Sequence, residues 1–275
     1  MAASGRLHLD GFWIFPLLGI VAGILAGLLG IGGGLVLVAA LVWLLPLYGI
    51  PQEAAMHAAL ASSLASIVLT ATSSAYSHHR RGSVLWPTVA WMVPGLLLGG
   101  WLGSDLAVYL DDDVLRWIVA GYCFIAGAQL AFGKTRANSN DTPVTPPRGW
   151  LMTTAGTVIG AVSSVVGIGG GSMTVPLLVW RGVSPVKAVG TSSAGGVAIG
   201  LASAFGYAMH APAGALPSHA IGYIYLPAAI GVSVASVFAA PYGTRLAHWI
   251  SGAALKRVFA LFMVVMGLSV AIAGR

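Results

Sequence analysis

The sequence predicts an all-α polytopic membrane protein with about eight to ten transmembrane segments in two inverted repeats, broken or re-entrant at a duplicated glycine tract. Three observations carry this. Of 275 residues, 57% are hydrophobic and only 7% charged, against roughly 25% charged in an ordinary soluble domain. Long apolar stretches recur from Trp13 onward, several near the roughly 18 residues that mark a spanning helix. The tract Gly30-Ile31-Gly32-Gly33-Gly34 returns as Gly167-Ile168-Gly169-Gly170-Gly171.

Ten apolar segments follow in order: Phe12–Leu29, Leu35–Tyr48, Ala54–Tyr76, Leu85–Ala107, Val114–Phe132, Trp150–Val166, Ser172–Trp180, Pro185–Met209, Ile221–Pro241 and Ala253–Ala273. The second and seventh are short, which suits half-helices or re-entrant hairpins. Glycine and proline fall inside these segments, as membrane helices tolerate. The division is a tail over 1–11, a first transmembrane repeat over 12–133, a linker over 134–149 and a second repeat over 150–275. The linker is polar and proline-rich. The chain start does not read as a signal peptide, since Asp10 abuts the apolar run and no small-residue cleavage site follows. A lone Cys123 excludes an intrachain disulfide framework.

The charge of +6 and pI of about 9.8 do not point to nucleic acid, because the basic residues lie scattered in short loops. If Ser77–Ser83 faces the cytoplasm, Arg80, Arg81, Lys134, Arg136, Arg148, Arg181, Lys187, Arg245, Lys256 and Arg257 all fall inside. Only Arg6, Arg116 and Arg275 remain outside. That bias obeys the positive-inside rule and puts both termini outside.

Further matches keep their order in the two halves. Ala61-Ser62-Ser63 corresponds to Thr191-Ser192-Ser193, Gly103–Ala107 to Gly243–Ala247, and Leu115-Arg116 to Leu255-Lys256. Each loop of the first half lies on the opposite side from its counterpart. Inverted repeats of this kind are a recurrent transporter architecture, with the substrate held near the midplane.

The candidate site follows from the duplicated residues. Consecutive glycines sustain a helix poorly, at about 1 kcal/mol each relative to alanine. They suit a broken helix whose backbone amides and positive end attract an anion. Tight packing is the competing account, and Gly19, Gly23 and Gly27 fit that account better. Ser62, Ser63, Ser192 and Ser193 could donate to an anion, or bond back to their own helices. His57 and Lys187 hold equivalent positions five residues earlier. An ionisable group there suggests coupling to a proton, with snorkelling to the interface as the alternative. Glu53 reads as a solvated loop residue.

Other polar groups invite structural readings. Tyr76, Tyr207, Trp86, Trp101 and Trp249 suit an interfacial aromatic belt. His78 and His79 with Arg80 and Arg81 suit a cytoplasmic anchor. Gly190–Ser193 faintly resembles a serine nucleophile with His210 downstream, yet no oxyanion element or orienting partner can be placed. No Cys/His cluster has metal spacing. The sequence therefore predicts neither an enzyme nor a bound cofactor.

At these residues the chain resembles the sulfite exporter TauE/SafE family, the toluenesulfonate uptake permease group, over nearly its whole length. The marks are the two glycine tracts, Ala188–Ser193 with its weaker copy Ala58–Ser63, and the segments carrying Pro94 and Pro227. The resemblance implies a bacterial-type inner-membrane carrier of small sulfur-bearing anions such as sulfite or sulfonates. It further implies that Gly32, Gly33, Gly34, Ser62 and Ser63 line one half of the site. Gly169, Gly170, Gly171, Thr191, Ser192 and Ser193 would line the other. The first copy departs from the pattern, with Ala39 opposite Pro176 and Ala61 opposite Thr191.

Together these readings give a secondary carrier working by alternating access. Its partners would be a small anion, membrane lipid, a coupling proton or cation, and in one version a second copy of the chain. A passive anion channel and a non-transporting membrane scaffold or assembly factor are the alternatives.

Overall fold

The computed structural model describes residues 13–30, 33–132, 145–210, 216–247, 249–250 and 252–273. Those residues form ten α-helices, and the only strands among them make one short hairpin. The first five helices are α1 (Ile14–Leu29), α2 (Gly34–Leu44), α3 (Ala55–His79), α4 (Trp86–Val108) and α5 (Asp112–Phe132). The second five are α6 (Trp150–Val166), α7 (Gly171–Trp180), α8 (Pro185–Met209), α9 (Leu226–Ala247) and α10 (Gly252–Ile272). Strands β1 (Ala220–Ile221) and β2 (Ile224–Tyr225) pair antiparallel just before α9. The tail over 1–11 and most of the central linker lie outside the described residues.

Helix lengths follow the apolar segments, and four stretches are long and apolar enough to cross a membrane: Gln52–His79, Trp86–Val108, Pro185–Met209 and Leu226–Ala247. At 1.5 Å per residue, α2 and α7 are only about 15 Å long, half of a hydrocarbon core of roughly 30 Å. One expected boundary is corrected. The ninth segment does not run Ile221–Pro241 but starts at Leu226 and continues to Ala247. Gly222, at φ +58°, folds the preceding residues into the hairpin, and Pro241 sits inside the helix.

Packing comes in matched sets. Helix α1 lies along α9 and α6 along α4, while α3 meets α8 and α5 meets α10. In each set the partners come from different halves of the chain. The two long seams are built on glycine. A Cβ on Gly23 would lie 2.6 Å from the Ser236 carbonyl, and Gly19 and Gly27 crowd Val232 and Ala240 as closely. On the other seam Gly95, Gly99 and Gly103 press on the backbone of Thr153, Thr157 and Ala161. Gly156 and Gly160 of α6 press back on Met92 and Leu96. Without a hydrophobic force between helices in lipid, close backbone approach is what holds such seams. Gly19, Gly23 and Gly27 are packing residues.

Helices α3 and α8 occupy the centre. Residues Met56 to Leu64 are almost wholly buried, as are Ala188 to Ser193. Outward faces carry Leu97, Trp101, Phe205, Ile230, Phe238 and Leu261 exposed, the pattern of a surface solvated by acyl chains. Tyr76, Trp86, Trp101 and Trp249 are exposed. Tyr207 is corrected: it is fully buried, and its hydroxyl donates to the Ser164 carbonyl at 3.2 Å. Helix α8 is wedged between α3 and α4, so its inner face has no access to an interface. The anchor patch is likewise divided. His79, Arg80 and Arg81 are exposed, but His78 is buried with Nε2 3.2 Å from the Gly27 carbonyl.

Candidate substrate site

Each glycine tract separates a long helix from a short one by the same backbone device. Gly30 ends α1 at φ +71°, and Gly33 opens α2 at φ +71°. Gly167 ends α6 at φ +77°, and Gly170 opens α7 at φ +76°. The first and fourth residues of both tracts thus sit in the left-handed region, where glycine alone is at ease. Gly34 and Gly171 are the first helical residues, while Gly32 lies outside the described residues. Neither α2 nor α7 receives a capping bond from its N-cap side chain, since glycine has none. The amides of Gly34 and Leu35, and of Gly171 and Ser172, have no backbone acceptor among the described residues, and each pair stands at the positive end of its helix.

Both tracts lie beside the middle of the central helices. A Cβ on Gly34 would touch the Gly167 backbone and the tip of Ile67 in α3. The Gly169 carbonyl lies 3.1 Å from the Cβ position of Gly196, midway along α8. The two tracts therefore meet each other at half the depth of the bundle.

The central helices clasp the tracts with hydroxyls. Ser63 donates to the Gly34 carbonyl at 3.1 Å and to Gly167 at 3.2 Å. Ser192 donates to Gly30 at 3.1 Å. A serine from each central helix thus bonds the first glycine of the other half's tract. Ser62 and Thr191 make a second matched pair. Ser62 Oγ accepts the Tyr225 amide at 2.9 Å, just before α9, and Thr191 Oγ1 accepts the Leu85 amide at 3.0 Å, just before α4. Ser193 donates to Val189 and bonds Ser74 at 3.0 Å. All five side chains are at most 2% exposed. In this conformation the hydroxyls are spent on backbone groups and closed off from water.

His57 and Lys187 differ despite their matching positions. Lys187 is exposed near the start of α8. His57 is buried in an ionic cluster. Its Nδ1 lies 3.0 Å from Asp112 Oδ1 and its Nε2 3.2 Å from the Ala107 carbonyl. Both ring nitrogens therefore face oxygen atoms, one of a carboxylate and one of a backbone carbonyl. Asp112 also takes the amides of Met56 and His57 at 3.0 to 3.2 Å, which caps the start of α3 from another helix. Arg116 closes the cluster at 3.5 Å from Asp112 and 2.8 Å from Asp113. The Tyr223 ring stacks on His57 with centroids 5.0 Å apart. Burial, and then the negative charge of Asp112, raise its phenol above the ordinary value.

Sequence reasoning missed Asp112 and Arg116 as site-adjacent groups. Their spacing of four along α5 was a signal for a helix pair. Nothing local revealed that His57, 55 residues earlier, completes it. The polar stripe of α3 also went unread. Ser62, Ser66, Thr70 and Ser74 recur every four residues, all buried, and Ser66 and Thr70 bond α9 through Ala229 and Ser236. The serine-nucleophile arrangement does not form. His210 pairs instead with Asp105 at 3.1 Å and the Gly206 carbonyl. It lies about 27 Å along α8 from Ser192.

An apolar helical bundle with buried hydroxyls and helix ends at mid-depth defines an integral membrane protein of the transporter class. The chain belongs to the sulfite exporter TauE/SafE family, whose profile matches residues 15–270. A probable membrane transporter protein of Haemophilus influenzae is 34% identical over 254 residues, covering 92% of this chain and 95% of the relative. The probable membrane transporter protein YdhB of Bacillus subtilis is 26% identical over 258 residues, covering 90% and 94%. One from Xylella fastidiosa is 27% identical over 254 residues, covering 91% of each chain. No solved structure matches the chain. The family is one of membrane transporters rather than enzymes.

Proposed function

We propose that the protein is a secondary carrier of small, sulfur-bearing anions such as sulfite or a sulfonate, working by alternating access in a bacterial inner membrane. One observation carries this reading: two left-handed glycine turns aim uncapped helix starts into the middle of the bundle, beside hydroxyls of the central helices. Backbone amides replace an anion's hydration without a buried cation, which would be costly in lipid. The family match supports the substrate class.

The exchanged packing of the halves and the one-sided placement of basic residues support an inverted repeat. Moving a glycine tract away from the central helices requires breaking the Ser63–Gly167 and Ser192–Gly30 bonds, because each ties a central helix to the tract of the other half. Once freed, the same hydroxyls face the substrate's oxygens. His57 is the candidate carrier of a coupling proton, with its ring nitrogens against Asp112 and the Ala107 carbonyl.

The test is flux of labelled sulfite and small sulfonates into and out of proteoliposomes, with and without a pH gradient. Saturable flux that other sulfur oxyanions inhibit, weakened in Ser192→Ala, is expected. Folded protein that moves none of these anions would refute the reading.

A further inference from the structure

The two tracts share a backbone but not a lining. At the second, Ser163 projects from the last turn of α6, wholly buried, and its hydroxyl has no partner among the described residues. Its oxygen lies 3.4 Å from the Cβ position of Gly170, the residue that opens α7. The amides of Met173 and Thr174 are taken by the Gly170 carbonyl. Those of Gly171 and Ser172 have no acceptor among the described residues. Beside them the Ser172 hydroxyl bonds Tyr122 of α5 at 2.5 Å. Thr174 adds a buried hydroxyl one turn on.

Aligning the tracts puts Ala26 opposite Ser163, Leu35 opposite Ser172 and Leu37 opposite Thr174. Aligning Leu115-Arg116 with Leu255-Lys256 puts Phe262 opposite Tyr122. Every hydroxyl of the second lining is thus replaced by an apolar group in the first, and Ala26, Leu35 and Leu37 are buried there. A helix start is a weak attractor alone. One with an orphaned buried hydroxyl beside it has a donor waiting for an acceptor.

We infer that the protein holds a single anion per chain at the start of α7, received by the Gly171 and Ser172 amides with Ser163 and the Ser172–Tyr122 pair, and none at the start of α2. This rests on the anion-carrier reading above. A small oxyanion suits the site, because its several acceptor oxygens match converging donors and, among the described residues, no side-chain cation bonds these groups to demand a fixed countercharge. Ser163 is a specificity-determining contact, and Tyr122 positions Ser172.

The test uses purified full-length protein, with sulfite and methanesulfonate as probes, titrated calorimetrically and assayed for flux in proteoliposomes. Wild type is expected to bind one anion per chain. Ser163→Ala removes a hydroxyl without changing packing, and should weaken binding about tenfold or more at unchanged melting temperature. Tyr122→Phe should shift the preference between the two probes, and Phe262→Tyr in the other half should change neither affinity nor preference. Wild type that binds and transports while Ser163→Ala keeps its affinity within twofold overturns this assignment alone. Two anions per chain would also overturn it. Folded wild type that neither binds nor moves either probe overturns the carrier reading and this one with it.

Discussion

Replacing Asp112 by alanine tests the most heavily loaded polar contact among the described residues. Its carboxylate takes the Met56 and His57 amides, the His57 ring and the Arg116 guanidinium, and both ion-pair partners are less than a tenth exposed. Losing a helix cap costs about 1 kcal/mol. Stripping one partner from a buried ion pair costs about 3–5 kcal/mol, since the remaining charge stays desolvated. These overlap, so roughly 4 kcal/mol is the expected loss. At about 2–4 °C per kcal/mol for a chain of this size, the melting temperature should fall by roughly 10 °C. Asp112→Asn keeps an acceptor for the amides but loses the charge, and should fall about half as far. The assay is the loss of the monodisperse size-exclusion peak after heating detergent-solubilised protein through a temperature series. His57→Gln combined with Asp112→Ala should cost less than the two single losses added, because the ring contact can be lost only once. A melting temperature within about 3 °C of wild type for Asp112→Ala would refute the assignment of a buried, coupled polar cluster.

The remaining predictions concern glycine. Gly99→Leu drives a side chain into the Thr157 backbone, should part α4 from α6, and is read as loss of the monodisperse peak. Gly121→Ala has open space around it in α5 and should stabilise by about 0.5–1 kcal/mol, read as a melting temperature raised by a few degrees. Gly170→Ala places a Cβ at φ +76° within 2.5 Å of the Ile199 side chain, so proteoliposome flux should be lost before the fold is.

Ten helices were legible in the sequence because lipid enforces a simple rule, that every spanning backbone group be bonded within its own segment. Trp150–Val166 and Pro185–Met209 came out with their observed bounds since glycine and proline punctuate both. The start of α9 was not legible. Ile221 to Tyr225 is as apolar as the helix that follows, and only the positive φ of Gly222 separates them. Burial of polar groups was harder still. Tyr207 and Tyr76 end equivalent segments, yet one is wholly buried and the other exposed, because the neighbours that decide this are distant in sequence. The duplicated Ser-Ser pairs flagged the centre of the bundle. They could not show that the hydroxyls of Ser63 and Ser192 donate to tract carbonyls, nor that His57 finds Asp112. Local pattern gives faces and breaks, and partners come only from topology.

The division of chemistry between the halves follows from what each tract must do. Both need the left-handed glycines, because both helix breaks present a carbonyl to a serine of the other half, Gly167 to Ser63 and Gly30 to Ser192. That requirement falls on the backbone and leaves the surrounding side chains free to differ. A small anion needs only one helix start to replace its hydration. A second polar lining opposite would leave buried donors unpaired whenever a single anion was bound, at about 1–3 kcal/mol for each. Filling the first lining with Ala26, Leu35, Leu37 and Phe262 removes that cost. The buried charges of the first half then take another position, at the start of α3, where Asp112 ties His57 to the end of α4 and the start of α5. Repetition thus accounts for the matched helix breaks, and the departures from repetition account for the unequal linings.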